Sequence, residues 1–249
     1  MGPELLFSNL KEKSLAAGFN LVGRVRTKDY SENAKSEKRV ESIYQDAKSI
    51  ILVGFAGNKY WDILKGFLEN HQPFETANED WIDEYTILKF NLLAEILEKK
   101  NVNHKIVFPF RSSATIMDFM LLGRLAGFGV PSLLGILLHP EYGSWISLRG
   151  AIITDIEFSS YDKPLSGFDP CPPCSKPCIT ACPANTVSLN GWDWNKCMNF
   201  RLDSPTCESN CFSRRACPYG IEHQYSEEQL AHHHKFVIKG VKRYWKKET

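Results

Sequence analysis

Residues 171–218 read CPPCSKPCITACPANTVSLNGWDWNKCMNFRLDSPTCESNCFSRRACP, and this stretch decides what the chain builds. All eight cysteines of the 249 residues lie within it, and none precedes Cys171. Thiols serving only as small core side chains would be scattered, so these are read together as one functional block. The first group is Cys171-x2-Cys174-x3-Cys178-x3-Cys182-Pro183. The second is Cys197, then Cys207-x3-Cys211-x5-Cys217-Pro218.

Each group ends in Cys-Pro, as in the bacterial dicluster run, where three close thiolates hold one [4Fe-4S] cluster and the Cys before Pro ligates the other. The requirement is geometric. A cubane offers irons at tetrahedral corners, so a tight loop wraps three of them and the fourth ligand comes from elsewhere in the chain. The exchange predicts two [4Fe-4S] clusters, one on Cys171, Cys174, Cys178 and Cys217, the other on Cys182, Cys197, Cys207 and Cys211. The loops depart from the bacterial spacing, with x3 in place of x2 in the first group and x3 and x5 in the second. Zinc sites and disulfides are the competing readings. Zinc suits paired C-x2-C knuckles, of which only Cys171 and Cys174 form one, and disulfides go with export.

Upstream of the block, Ser159 to Pro173 turns to Asp, Pro, Gly and Ser and is read as a boundary. The expected organisation is an α/β domain over 1–160, a ferredoxin-like cluster module over 161–222 and a helical tail over 223–249. Residues 4–17 predict a helix stopped by Gly18, followed by a strand at Leu21–Gly23. The run SIILVGF, 49–55, is apolar without alternation, the pattern of a strand covered on both faces. Leu88, Leu92 and Ile96 recur every four residues and predict an amphipathic helix over 86–100, leading into a strand at 105–108. A second apolar helix is expected over 114–126, ending at Gly127 and Gly129 before Pro131. Residues 135–154 read as two strands joined by a turn at 140–143. The fold class is thus mixed α/β, of α+β character.

Apolar residues make up 43% of the chain, enough for one substantial core and a smaller appendage. With 30 basic and 29 acidic residues, nothing in the charge balance points to nucleic acid or to a membrane surface. The start, Met1-Gly2-Pro3-Glu4, lacks a charged segment followed by an apolar one, and no run approaches the roughly 18 apolar residues of a spanning helix. A soluble, unexported, cytoplasmic protein is expected. The tail's basic residues Lys239, Lys242, Arg243, Lys246 and Lys247 read as a solvated helix face. His232, His233 and His234, adjacent on a helix, point in different directions and cannot chelate one ion together.

Several segments outside the cysteines carry a resemblance. Ala17-Gly18-Phe19-Asn20-Leu21-Val22-Gly23, Ala47-Lys48-Ser49-Ile50-Ile51-Leu52-Val53, Leu125-Ala126-Gly127-Phe128-Gly129 and His139 to Trp145 resemble, in that order, the epoxyqueuosine reductases, cobalamin-dependent iron–sulfur enzymes of tRNA modification. HPEYGSWISLRG, 139–150, and Tyr225-Ser226-Glu227-Glu228-Gln229 are also similar to the cobalamin-processing protein of the CblC type. The resemblance implies a nitroreductase-like α/β domain holding a corrinoid, most simply cobalamin, beside a ferredoxin-like module that reduces it. The protein would supply position and electrons while the cofactor supplies the chemistry.

By the same resemblance, the corrinoid contacts fall at Pro131, Ser132, His139, Tyr142, Gly143, Ser144, Trp145 and Arg149. Gly143 would admit a ligand to the backbone, Ser144 would donate a hydrogen bond, Trp145 would cover the corrin, and Arg149 would pair with a propionamide or an acidic substrate; a plain hairpin with a buried Trp explains Gly143 to Trp145 equally well, and His139 also reads as a turn or core histidine. Asp118 and Glu141 are the candidate proton donors. There are departures. The acidic donor of epoxyqueuosine reductases falls fourteen residues before the glycine turn, and counting back from Gly127 lands on Ser113. The Trp and Gly-Lys after that turn are replaced by Val130-Pro131-Ser132-Leu133, and no counterpart of the family's C-terminal helical repeats is found. Unlike the CblC type, the chain has the cysteine block, and Gln224 replaces the arginine before Tyr225. The expectation is therefore an iron–sulfur oxidoreductase other than a true epoxyqueuosine reductase. It would take electrons from a donor such as ferredoxin or flavodoxin and act on a corrinoid or a small molecule. The alternatives are an activator that reduces a partner's corrinoid and an FMN enzyme on the same kind of fold.

Overall fold

The computed structural model describes residues 2–71, 80–111 and 117–244, with side chains through Lys242. Its chain forms two compact units. Unit 1 is Met1–Gly129 with Ile146–Ser166, and unit 2 is Val130–Trp145 with Gly167–Thr249. The division falls inside the Asp/Pro/Gly-rich stretch, but the chain also crosses between units at 129/130 and 145/146. Residues 130–145, expected to lie in the first domain, pack with the cysteine-bearing unit, and so does the tail.

Unit 1 is built on a four-stranded antiparallel sheet in the order β1 (Leu21–Arg26), β2 (Ser49–Ala56), β6 (Ile146–Thr154), β3 (His104–Val107). All eight residues of β2 are buried, as its unalternating apolar run requires. Full burial of Ile50, Ile51, Leu52, Val53 and Phe55 removes each from water at roughly 1.5–3 kcal/mol apiece, the main stabilisation of this core. The helix α1 (Pro3–Ala16) stops at Gly18, φ +90°, with Gly18 N donating to Leu15 O and Phe19 N to Ser14 O. Next along the chain are α2 (Thr27–Asn33) and α3 (Lys59–Asn70). The helix α4 (Trp81–Glu98) begins five residues before its periodic stripe because Asp80 caps it, Oδ1 accepting from Ile82 N at 3.0 Å. Gly150, on β6, lets the Phe90 ring of α4 reach the sheet; a Cβ there would stand 2.6 Å from Phe90 Cζ.

Two expectations need correction. The second apolar helix is shorter, α5 (Phe119–Leu125), and Asp118 is not mid-helix but its N-cap, Oδ1 accepting from Leu121 N at 2.9 Å; Ser113 and the rest of 112–116 lie outside the described residues. The two strands in 135–154 do not pair with each other. A strand has two edges, and β6 gives one to β2 and the other to β3. The upstream strand β5 (Leu137–Leu138) pairs with β4 (Val130–Pro131), while 139–143 closes on itself, His139 N donating to Gly143 O at 2.8 Å and Gly143 N to His139 O at 2.9 Å.

Unit 2 is mostly short turns of helix. It comprises α6 (Pro177–Thr180), the hairpin β7 (Val187–Ser188) and β8 (Gly191–Trp192), α7 (Trp194–Asp203), α8 (Phe212–Arg215) and the tail helix α9 (Glu227–Tyr244). Cys178, Cys182 and Val187 are buried at its centre against Leu133, Leu134, Ile179, Ala184 and Trp192. Among the described residues no helix is long and apolar enough to cross a membrane.

Candidate functional site

The eight cysteines divide four and four. Cys171, Cys174, Cys178 and Cys217 line one cavity of unit 2, with Ser132, Leu138 and Pro218 beside them. Cys182, Cys197, Cys207 and Cys211 line a second cavity of about 340 Å³. Local sequence explains the grouping. The loop 171–176 closes through Cys174 N donating to Cys171 O, and Lys176, in the left-handed region at φ +59°, turns it into α6, which carries Cys178. The α6 turn then delivers Cys182 to the other set. In the second group α8 separates Cys211 from Cys217 in the same way, so each Cys-Pro cysteine lines the cavity opposite its own run.

None of the eight is in a disulfide. Among the described residues, no three or more His, Cys, Asp or Glu converge on a single-ion site. A lone zinc would need its sulfurs about 3.8 Å apart, from Zn–S bonds near 2.3 Å. The second set lines a void of about 340 Å³, room for a polynuclear cluster, while the first set lines a smaller one of about 20 Å³.

The electrostatics separate these thiols from nucleophilic cysteines. Burial pushes the Cys178, Cys217 and Cys197 thiols up and takes Cys207 to about 11. Groups held neutral at pH 7 are poor nucleophiles and become thiolates when a metal displaces the proton. Cys182 is the exception. Burial raises it too, but hydrogen bonds from the Thr186 hydroxyl and amide, Ser213 and the Ala184 amide outweigh that and bring it to about 7. Thr186 Oγ1 lies 3.2 Å from Cys182 Sγ, and Thr186 N donates to it at 3.4 Å. In the first set, Lys176 N donates to Cys174 Sγ at 3.3 Å.

Two residues of the second cavity, Arg201 and His234, were not singled out from sequence. His234, 6% exposed, has its Nδ1 2.6 Å from Arg201 Nη2 and 3.0 Å from Cys207 O. A guanidinium only donates, so Nδ1 accepts from Arg201, and the Cys207 carbonyl, itself an acceptor, then makes a close contact with Nδ1 and not a hydrogen bond. Burial and then the Arg201 charge lower the imidazole to about 4, against the Cys207 carbonyl, and keep the ring neutral. His232 packs near Phe236 and His233 stacks on Tyr225, so the three histidines do face three ways. The signal for Arg201 was its i,i+4 relation to Cys197 on one helix face; for His234 there was no local signal.

The side chains expected to touch a corrinoid are used internally. Trp145 is fully buried in unit 2, 5.3 Å from the Tyr225 ring, with the Arg214 guanidinium 4.6 Å over it. Arg214 donates to Ser144 O at 2.7 Å. Gly143, φ +54°, admits the chain's own backbone in place of a ligand: a Cβ there would stand 1.8 Å from Tyr219 O. His139 Nδ1 accepts from Glu141 N and Tyr142 N, and Ser132 Oγ donates to Ile136 O, so both are turn residues. The Tyr142 ring lies against His139 and His223, Pro131 sits in β4, and Glu141 is exposed. In unit 1, Arg149 is buried against Asp83 and Thr86. Asp118 is spent on its helix cap. Ser144 Oγ and Trp145 Nε1 of this group are buried without a hydrogen-bond partner among the described residues.

No family model matches the chain. Its sequence is similar to the epoxyqueuosine reductase of Listeria monocytogenes serovar 1/2a, 29% identical over 164 residues, 64% of this chain but 42% of that protein. The chain thus spans about two fifths of the length of the curated relative it matches. Its fold is similar to the epoxyqueuosine reductase of Streptococcus thermophilus, at TM-score 0.63 and 19% identity over 91% of this chain and 68% of that one. It is also similar to the B12-trafficking protein CblC of C. elegans, at TM-score 0.61 and 13% identity over 98% and 97% of the two chains. The mixed α/β class expected from sequence and the resemblance to these two kinds of protein are both found.

Proposed function

We propose that the chain is an iron–sulfur oxidoreductase holding two [4Fe-4S] clusters, one on Cys171, Cys174, Cys178 and Cys217 and one on Cys182, Cys197, Cys207 and Cys211, with a corrinoid as its electron acceptor. The observation that carries the reading is the division of eight reduced thiols between two cavities, four to each. The donor chemistry fits: two sets of four cysteines, each lining one cavity and suited to iron–sulfur ligation. When bound, such clusters supply one-electron storage and transfer.

The chain's own residues then have definite tasks. Thr186, by donating to Cys182, and Lys176 N, by donating to Cys174, stabilise negative sulfur. Met198, Trp192, Phe200 and Phe212 supply apolar lining of the second cavity. Gly143 and Gly220, both at positive φ, allow two backbone turns to press together and hold the Tyr219 segment that follows Cys217.

The corrinoid rests on the likeness to a B12-trafficking protein and on the sequence resemblance alone. The side chains expected to hold it make contacts within the chain, Gly143 against the Tyr219 backbone and Arg149 with Asp83, while Ser144 Oγ and Trp145 Nε1 are buried without a hydrogen-bond partner among the described residues. No residue is therefore assigned to it.

Anaerobic purification or reconstitution with iron and sulfide tests the reading. About eight irons per chain are expected, four for each cluster, with broad absorbance near 400 nm bleached by dithionite. Material with zinc in place of iron, or with the thiols paired in disulfides, would sink it. Adding cobalamin or FMN then tests the acceptor: a changed cob(II)alamin EPR spectrum supports the corrinoid, and retention of flavin alone replaces it.

A further inference from the structure

The second cysteine cavity is apolar and aromatic apart from a few polar groups, and the charged residues lining it are Arg201 and Arg214, both cations. Arg214 is committed elsewhere, with Nε and Nη2 donating to Ser144 O and the guanidinium over Trp145 and Tyr225. Arg201 is differently placed. It follows Cys197 by one turn on α7, so both share a helix face. Its Nη2 donates to His234, which is buried and neutral. Its Nη1 is buried without a hydrogen-bond partner among the described residues.

A buried charged donor left unpaired is costly, so a guanidinium held in this way calls for an anion beside it. The anion that the cavity's chemistry provides is a cluster ligated by four thiolates. We propose that Arg201, held in place by His234, is the fixed counter-charge of the cluster on Cys182, Cys197, Cys207 and Cys211 and raises that cluster's reduction potential. The inference rests on the two-cluster reading above.

The physics is direct. Reduction adds one electron to the cluster and breaks no bond, and dithionite supplies that electron in the test below. The reduced cluster is the more negative form, and a cation held nearby at low dielectric stabilises it more than the oxidised form. His234 would be a positioning residue. Its ring fixes one edge of the guanidinium, Nη2 lying 2.6 Å from Nδ1.

The test is a potentiometric titration of the full iron-loaded chain, followed by EPR. Arg201→Gln is expected to shift one cluster's midpoint negative by about 59 mV or more, a tenfold change in its reduced fraction at fixed potential, and to leave the other midpoint in place. Cys207→Ser, which alters a ligand of the same cluster, identifies which signal moved. Arg201→Lys should recover part of the shift, and His234→Leu should move the same midpoint by less. Unchanged midpoints in Arg201→Gln with full iron content would overturn the proposal and leave the two-cluster reading standing. Should Arg201→Gln fail to hold the cluster, Arg201→Lys is titrated instead; loss of the cluster from both variants makes the role structural and also overturns it. Far fewer than about eight irons in the parent chain would remove the two-cluster reading, and this proposal with it.

Discussion

Arg149→Met separates the two roles open to that residue, contact with a ligand or internal pairing. The structure puts it inside unit 1, its side chain 9% exposed and that of Asp83 23%. Nη2 donates to Asp83 Oδ1, Nε donates to Thr86 Oγ1 at 3.3 Å, and the guanidinium lies 4.6 Å from the Phe110 ring centre. Methionine keeps an apolar stem of similar reach and removes the charge. Thr86 loses little, since its hydroxyl donates to Ile82 O at 2.7 Å. Asp83 is left as a largely buried carboxylate without its countercharge, which costs about 3–5 kcal/mol. Burial already raises the Asp83 carboxyl to about 6, against the pull of Arg149. Without that pull it rises further. A folded-state pKa above the unfolded value means stability that is complete below the ordinary carboxyl value of 3.8 and is lost as pH rises through the folded pKa. The loss should therefore be larger at pH 8 than at pH 6. Anaerobic urea titration followed by far-UV circular dichroism measures it at both. Asp83→Leu with Arg149→Met should recover most of the stability, because neither charge is then buried alone. A single variant within about 0.5 kcal/mol of the parent at pH 8, or a double variant no better than the single, would refute the pairing.

Gly143→Ala brings a Cβ to 1.8 Å from Tyr219 O, a backbone atom that cannot swing aside. With about 1–2 kcal/mol for a left-handed residue added to the clash, the variant should lose at least about 2 kcal/mol and hold less iron, read by melting and iron assay; parental values for both would show the turn to be slack. Asp118→Ala removes a helix cap worth about 1 kcal/mol, a fall of roughly 2–4 °C in Tm, without changing reduction of the clusters by dithionite. Unchanged melting with impaired electron uptake would show Asp118 to be a chemical participant instead of a cap.

How much of the fold was legible depended on whether a segment's partner lay nearby. The strand β2 announced itself because eight buried positions in a row leave an unalternating run, and α1 because Gly18 marks its end. The segment 135–154 misled for the opposite reason. Two apolar stretches around a Pro–Gly turn have the local chemistry of a hairpin, yet β6 belongs to distant β2 and β3 and β5 to β4. Strand choice is a competition for edges, and a sequence window does not contain the competitors. The crossing at 145/146 was hidden by the same fact: a boundary read from composition finds linkers, and this one passes through Trp145-Ile146 without a change in composition.

The site divides along similar lines. The cysteines are visible as a clustered block, and the Cys-Pro exchange of the dicluster run, carried onto them, gives the two sets that line the two cavities. The segment 139–150 was read for ligand contact because glycine, tryptophan and arginine suit it, but the same three types suit a crossing of backbones, a buried ring and an internal ion pair. Residue type does not tell these apart; burial does. His234 shows the converse. On the helix it is one of three like residues with nothing to mark it, and only the packing of α9 turns this ring toward Arg201 and the Cys207 carbonyl. Groups that would tune a cluster without ligating it need only be near it in space. Their positions are fixed by tertiary packing, and for that reason the second cavity's charge is legible in the structure and not in the spacing of its cysteines.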